Sequence, residues 1–250
     1  MKLKCISCEA LARILYYNAA SSPHTIDIDL FELGLHNEPA ELQKILQHAI
    51  DSVAAEKYDA IVLGYGLCGK ATQGIAARDM KIVVPRAHDC ITLFLGSRAR
   101  YQQEFEEHTG TYWYAADYIE RTVDPNTALS LGASTMGNVQ EQYDQYVEKY
   151  GEDNAKYLME VMGGWEKHYN RAAYINYDFY PSPVAEGRAQ QDAQKNDWSF
   201  DRVAGNLVIL KKLLYGEWDD DFLVLQPGES LEMSNDEHVI RGKNGLFPAS

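Results

Sequence analysis

Apolar and polar positions in the first 96 residues fall into two alternating periods. KLKCIS (residues 2–7) is a short apolar strand, and Leu11, Ile14 and Leu15 then take helical spacing between Cys8 and Asn18. HTIDIDLFEL alternates Ile26, Ile28 and Leu30 with acidic residues, the two-residue period of a half-exposed edge strand. Pro39 suits the first turn of a helix running to about Ala55, with Leu42, Ile45, Leu46, Ala49 and Val53 on one face. YDAIVLGYG is the most apolar strand and suits a central position covered on both sides. A short helix is expected near residues 71–77, then a fourth strand, KIVVPRA, and a helix from about Asp89.

Strands alternating with helices predict an α/β fold with a parallel sheet and right-handed crossovers. The second strand alone alternates with polar residues and belongs at an edge. That favours a flavodoxin-like or Rossmann-like order, 2-1-3-4.

Beyond residue 96 the pattern changes. GTYWYAADYIE reads as a strand, and residues 134–174 as mainly helical. A loop, INYDFYPSPV, leads toward a helix in NLVILKKLLYG, and DDFLVLQPGESLEMS closes as strand and turn. The expected division is an α/β domain over 1–120 and a mainly helical extension over 121–250, or one continuous domain. Many of the 17 tyrosines fall in the second half, which could form a lid over the sheet edge or a homodimer surface.

Charge narrows the partners. The 250 residues carry 23 basic and 37 acidic side chains, a net charge of −14. Such a surface repels phosphate backbones and anionic membranes, so no nucleic acid and no membrane partner is expected. No apolar run approaches the ~20 residues of a membrane helix. The N-terminal stretch lacks an apolar signal core, and a cytoplasmic protein is expected.

In that setting the four cysteines, Cys5, Cys8, Cys68 and Cys90, point to metal or catalytic use rather than disulfides. Cys8 follows the first strand, Cys68 the third and Cys90 the fourth. In the order 2-1-3-4 these strands are neighbours about 4.8 Å apart. The thiols would emerge together at the carboxyl edge, where open α/β sheets bind ligands. Each lies near an expected helix N-terminus, which favours the thiolate, the form that binds metal. Zinc and an iron–sulfur cluster both suit three thiolates. His36, after strand two, or His88 could complete the set. Cys5, inside its strand, reads as core, and Asp89 as the cap of the helix beginning at Cys90.

The loop around Cys68 also satisfies two nucleotide patterns. Gly64, Gly66 and Gly69 form G-x-G-x-x-G, and with Lys70 they form G-x-x-x-x-G-K. Ala71 stands where a phosphate loop needs a magnesium-binding hydroxyl. The dinucleotide fingerprint keeps an NADP-binding oxidoreductase open, with Arg86 near a 2′-phosphate. Arg86, His88 and Tyr65 are the catalytic candidates, and local cations in an acidic chain favour a small anionic substrate.

Taken together, GYGLCG, PRAHDCITLFLGSRARY and GTYWY resemble an uncharacterised bacterial and archaeal family, the domain of unknown function numbered sixteen thirty-eight. CEAL, GLHNEPAEL and LLYGEWDDDFLVLQPGE match its remaining segments, so the resemblance covers nearly the whole chain. It implies that Cys8, Cys68 and Cys90 are the family's cysteines and His36 its histidine. It also implies an association with corrinoid-dependent methyltransferases, and so methyl or one-carbon transfer, or delivery of metal, cluster or corrinoid to a partner protein. Zinc would serve such a transfer by holding a substrate thiol as a nucleophile, whereas an open iron site would act as a Lewis acid in a lyase-type reaction.

Overall fold

The computed structural model describes residues 1–121, 169–234 and 236–245. The chain forms two compact units, Met1–Gln102 with Gly205–Ser250, and Gln103–Ala204. The division falls earlier than the expected boundary at 120, and the C-terminal segment rejoins the first unit rather than extending the second.

The first unit is built on a five-stranded sheet. Its strands are β1 (Lys2–Cys8), β2 (Thr25–Phe31), β3 (Ala60–Gly64), β4 (Ile82–Pro85) and β8 (Phe222–Leu225), in the order β2-β1-β3-β4-β8. The first four are parallel, as the hydrophobic pattern predicts, and β8 closes the far edge antiparallel to β4. Register sets Ser7 beside Gly64 and Cys8 beside Phe31.

The two-residue strand period divides the apolar side chains between two faces. Ile6, Ile61, Leu63, Ile82, Val84, Leu223 and Leu225 meet Leu42, Leu46 and Ile50 of α2 (Pro39–Asp51) in one buried cluster. The alternate residues Leu3, Cys5, Val62 and Val83 are also fully buried. Cys5 is therefore core, as expected. Helix α7 (Val208–Tyr215) lies against β3 and β4, and α1 (Ala12–Ala19) against α7. Both faces of the central strands are covered, which explains their continuous apolar runs.

No helix forms at residues 71–77. Residues 68–74 are turns, with left-handed φ at Cys68, Gly69, Lys70 and Gly74. The backbone then runs beside β9 (Glu229–Met233): Gly74 N–H donates to Leu231, Leu231 N–H to Ile75 and Ala77 N–H to Glu229, at 2.7, 2.8 and 2.9 Å. Left-handed residues cannot begin a right-handed helix, and β9 offers the segment other partners. β9 itself pairs with β10 (Ile240–Asn244).

In the second unit, β5 (Thr111–Ala115), β6 (Arg171–Asn176) and β7 (Ser199–Ala204) form a parallel sheet in that order. Helix α6 (Pro183–Asn196) packs Ala185, Ala189 and Ala193 against Tyr112, Tyr114 and Tyr174. Residues 171–174, expected to end a helix, are strand; the remainder of that expected helix, 134–168, lies outside the described residues. Arg171, buried, joins Asp201 at 2.6 Å and Glu104 at 2.9 Å.

No helix among the described residues is long and apolar enough to cross a membrane.

Candidate functional site

The carboxyl edge of the first unit's sheet is held together by glycines where chain segments nearly touch. A Cβ on Gly64 would fall 2.2 Å from Ser7 Oγ. The Ser7 hydroxyl instead donates to the Gly64 carbonyl at 3.0 Å. A Cβ on Gly66 would lie 2.9 Å from both the Ala87 carbonyl oxygen and the Asp89 nitrogen. Leu67 and Cys68 donate their N–H groups to the carbonyls of Ala87 and His88, at 2.8 and 2.9 Å. The loop after β3 is thereby laced to the loop after β4. Gly69 has φ +64°, a left-handed turn conformation suited to glycine.

All three glycines of the G-x-G-x-x-G pattern therefore have local backbone roles. The helix N-terminus on which that fingerprint would seat a pyrophosphate is replaced by the turn at 68–74. Gly69 and Lys70 are exposed.

This lacing gathers three thiols. Cys8 ends β1, Cys68 sits in the tied loop, and Cys90 is the first residue of α3 (Cys90–Leu95). Each is free and partly open to solvent. The ionisation of Cys90 is opposed by burial first, then by Cys68, Asp89 and Cys8. That of Cys68 is opposed by burial, then by Asp89 and Cys8. The three cysteines lie at the carboxyl ends of the neighbouring strands β1, β3 and β4.

Their protonation differs from expectation. Burial pushes the Cys8 thiol up to about 11 and the Cys68 thiol up to about 12. Cys90 is also raised well above its ordinary value. Backbone N–H groups of Ala10 and Gly66 favour the thiolates of Cys8 and Cys68 but do not overcome desolvation. Helix ends are too weak here: Cys8 is followed by a single 3-10 turn, Cys68 by no helix, and α3 has only six residues. Without a cation the three groups are neutral thiols at neutral pH.

Asp89 caps α3 as expected: its Oδ1 accepts from the Thr92 N–H at 3.2 Å. Its other oxygen accepts from the Tyr101 hydroxyl at 3.1 Å. The part played by Tyr101 had no sequence signal, because only the turn between α3 and α4 (Arg98–Glu107) brings it back to residue 89.

The remaining candidates separate. Tyr65 is buried, and its hydroxyl has no hydrogen-bond partner. After burial itself, Cys8 and then Cys68 act most strongly on its ionisation. His36 lies in the 3-10 turn Leu35–Asn37 after β2, and burial lowers its pKa, favouring the neutral imidazole. His88 is exposed, and its carbonyl takes part in the loop lacing. Arg86 Nη1 donates to the carbonyls of His238 (3.3 Å) and Ile240. The guanidinium of this half-buried arginine is thus engaged by the segment leading into β10.

Among the described residues, no group of three or more His, Cys, Asp or Glu side chains is arranged as it stands to hold a metal ion. The three cysteines lie at the ends of neighbouring strands on one rim, and the Tyr65 hydroxyl, in the loop after β3, is buried without a hydrogen-bond partner.

The family model described as "Protein of unknown function (DUF1638)" matches residues 30–214, and the chain belongs to that family. No curated protein and no solved structure matches it at a significant level.

Proposed function

We propose that this member of the family binds a soft transition metal, as zinc or an iron–sulfur cluster, through Cys8, Cys68 and Cys90. The observation that carries the reading is the placement of three sequence-distant cysteines at the carboxyl ends of the adjacent parallel strands β1, β3 and β4, with Cys68 tied through its N–H to the carbonyl of His88. Thiolates are costly there only while uncompensated. A dication would neutralise most of their charge and displace their protons.

Three protein ligands leave a coordination position open, the arrangement of catalytic rather than closed structural sites. When bound, such a metal would supply Lewis acidity and a place to activate a nucleophile, the chemistry that methyl or one-carbon group transfer requires. This chain's own contributions would be the thiolate set, the laced loops that hold it and the half-buried surroundings that limit water. His36, in the turn Leu35–Asn37 that follows β2 at the same edge, with a neutral imidazole favoured by burial, is the candidate for a fourth ligand or for a hydrogen bond to a ligating sulfur.

The experiment is metal analysis of anaerobically purified protein, wild type beside Cys8→Ser, Cys68→Ser and Cys90→Ser. About one zinc per chain, or a brown iron-containing protein, lost in each variant, supports the reading. Metal-free wild-type protein that takes up neither zinc nor iron would overturn it.

A further inference from the structure

Arg86 and Arg98 are brought together by two shared partners. The Arg86 N–H donates to the Asp221 carbonyl at 2.8 Å, and Arg98 Nη2 lies 3.6 Å from the Asp221 carboxylate. Around the start of β10, Arg98 Nη1 donates to the Glu237 carbonyl, and Arg86 Nη1 donates to the carbonyls of His238 (3.3 Å) and Ile240. Two guanidinium groups therefore reach consecutive residues of one turn.

Few acids answer them. Asp221 pairs with Arg98 and is shared with Lys212 at 3.3 Å. Among the described residues no carboxylate forms an ion pair with Arg86, whose pKa is lowered by burial first and then by Arg98. Its side chain bonds to described residues through Nη1, while Nε is buried without a partner. Holding the turn uses Nη1 and leaves that desolvated N–H unexplained. Nor is the side chain at liberty to turn away. Its donors grip the carbonyls on both sides of Val239, a β-branched residue at φ 65°, where such residues are rare.

A guanidinium offers two parallel donors along its Nε–Nη2 edge, a match for the two oxygens of a carboxylate. We propose that Arg86, supported by Arg98, uses this edge to bind the carboxylate of a small organic ligand at the carboxyl edge of the first unit's sheet. Nε is covered in the free protein, and the ligand replaces that cover. Arg86 directly follows β4, and its neighbour Ala87 receives the Leu67 N–H at 2.8 Å within the laced loops. Open α/β sheets bind ligands at this edge. Charge favours a carboxylate over a phosphate. Two guanidinium groups set against Asp221 leave one positive charge, which a monoanion neutralises; a dianion would add surplus negative charge to a chain already at −14. No thiol takes part, so this site stands or falls apart from the metal reading.

The test is an NMR titration of the full-length protein labelled with ¹⁵N-arginine, using acetate as the probe and chloride and inorganic phosphate at matched ionic strength. Acetate should move the Arg86 Nε–H resonance downfield and saturably, with chloride leaving it in place. Arg98→Gln should raise the half-saturating acetate concentration about tenfold, the loss of one charge-assisted contact. Arg86→Lys, which keeps the charge and loses the fork, should lose the rise in melting temperature that acetate gives wild type. An Nε–H resonance that acetate moves no more than chloride does would overturn the proposal, and the wild-type protein alone decides this. Acetate stabilisation that persists in Arg86→Lys, or an unchanged affinity in Arg98→Gln, would overturn the paired site. Phosphate saturating the shift at a lower concentration than acetate would overturn the carboxylate assignment.

Discussion

The amide of Cys68 donates to the carbonyl of His88 at 2.9 Å, joining the loop after β3 to the loop after β4. Neither side chain is needed for this bond, so the thiol is positioned by backbone alone. Its side chain stays available because the main chain carries the attachment.

That attachment strains the chain. Cys68 and Lys70 have φ of 45° and 77°, where non-glycine residues pay about 1–2 kcal/mol. Lys70→Gly should therefore raise stability by about 0.5–1 kcal/mol, and Gly69→Ala should lower it by about 1 kcal/mol. Urea unfolding of the two variants beside wild type measures both.

Close approach at the sheet edge gives a sharper expectation. A Cβ at Gly64 would lie 2.2 Å from Ser7 Oγ and 2.6 Å from Ser7 Cβ. Gly64→Ala should cost about 2–3 kcal/mol through overpacking. Ser7→Gly in the same chain should recover part of that loss, although Ser7→Gly alone destabilises. A double-mutant cycle by denaturant unfolding detects the coupling.

The thiols set an alkaline limit. In the unfolded chain a cysteine ionises near 9.0, whereas Cys8 and Cys68 in the fold resist until about 11 and 12. Above pH 9 the unfolded state loses protons that the folded state keeps, so stability falls as pH rises through that window. Below it both states are protonated and the effect vanishes. Cys8→Ser and Cys68→Ser should flatten the decline between about pH 9 and 11, read from melting temperatures of metal-free protein. Alkylation of the native thiols at pH 8 should likewise be slow, and faster in urea.

Arg171 anchors the second unit, donating through Nε to Asp201 and through Nη1 to Glu104. Lysine cannot reproduce that two-armed geometry, so Arg171→Lys should cost about 1–2 kcal/mol and Arg171→Ala about 2–4 kcal/mol. Both are measurable by thermal unfolding.

The hydrophobic pattern made β1 to β4 and their order legible because each strand has a clean period and its crossover is a helix or loop of ordinary length. It thereby brought Cys8, Cys68 and Cys90 to one rim while their spacing in sequence gave no hint of contact. Asp89 was legible as a cap from its position before an apolar helix. The segment 71–77 was misread because its alanines favour a helix, while the left-handed turn at 68–70 and pairing with β9 decide otherwise. β7 was missed because SFDRVA is mostly exposed and polar. α6 was missed although Ser182 caps it, Pro183 opens it, and alanines recur every four residues at 185, 189 and 193. The protonation of the thiols was misjudged for a different reason: burial is a property of the folded surroundings, which no local motif encodes.

The pairing of residues 74–77 with β9, and of β4 with β8, bears on when the rim can mature in the cell. Its cysteines leave the ribosome early, but the strands that brace their loops are translated more than a hundred residues later, from Phe222 onward. A nascent chain would thus present its sulfurs before it can shape them. Until release or near-completion of synthesis the exposed thiols are open to oxidation or to capture by a chaperone.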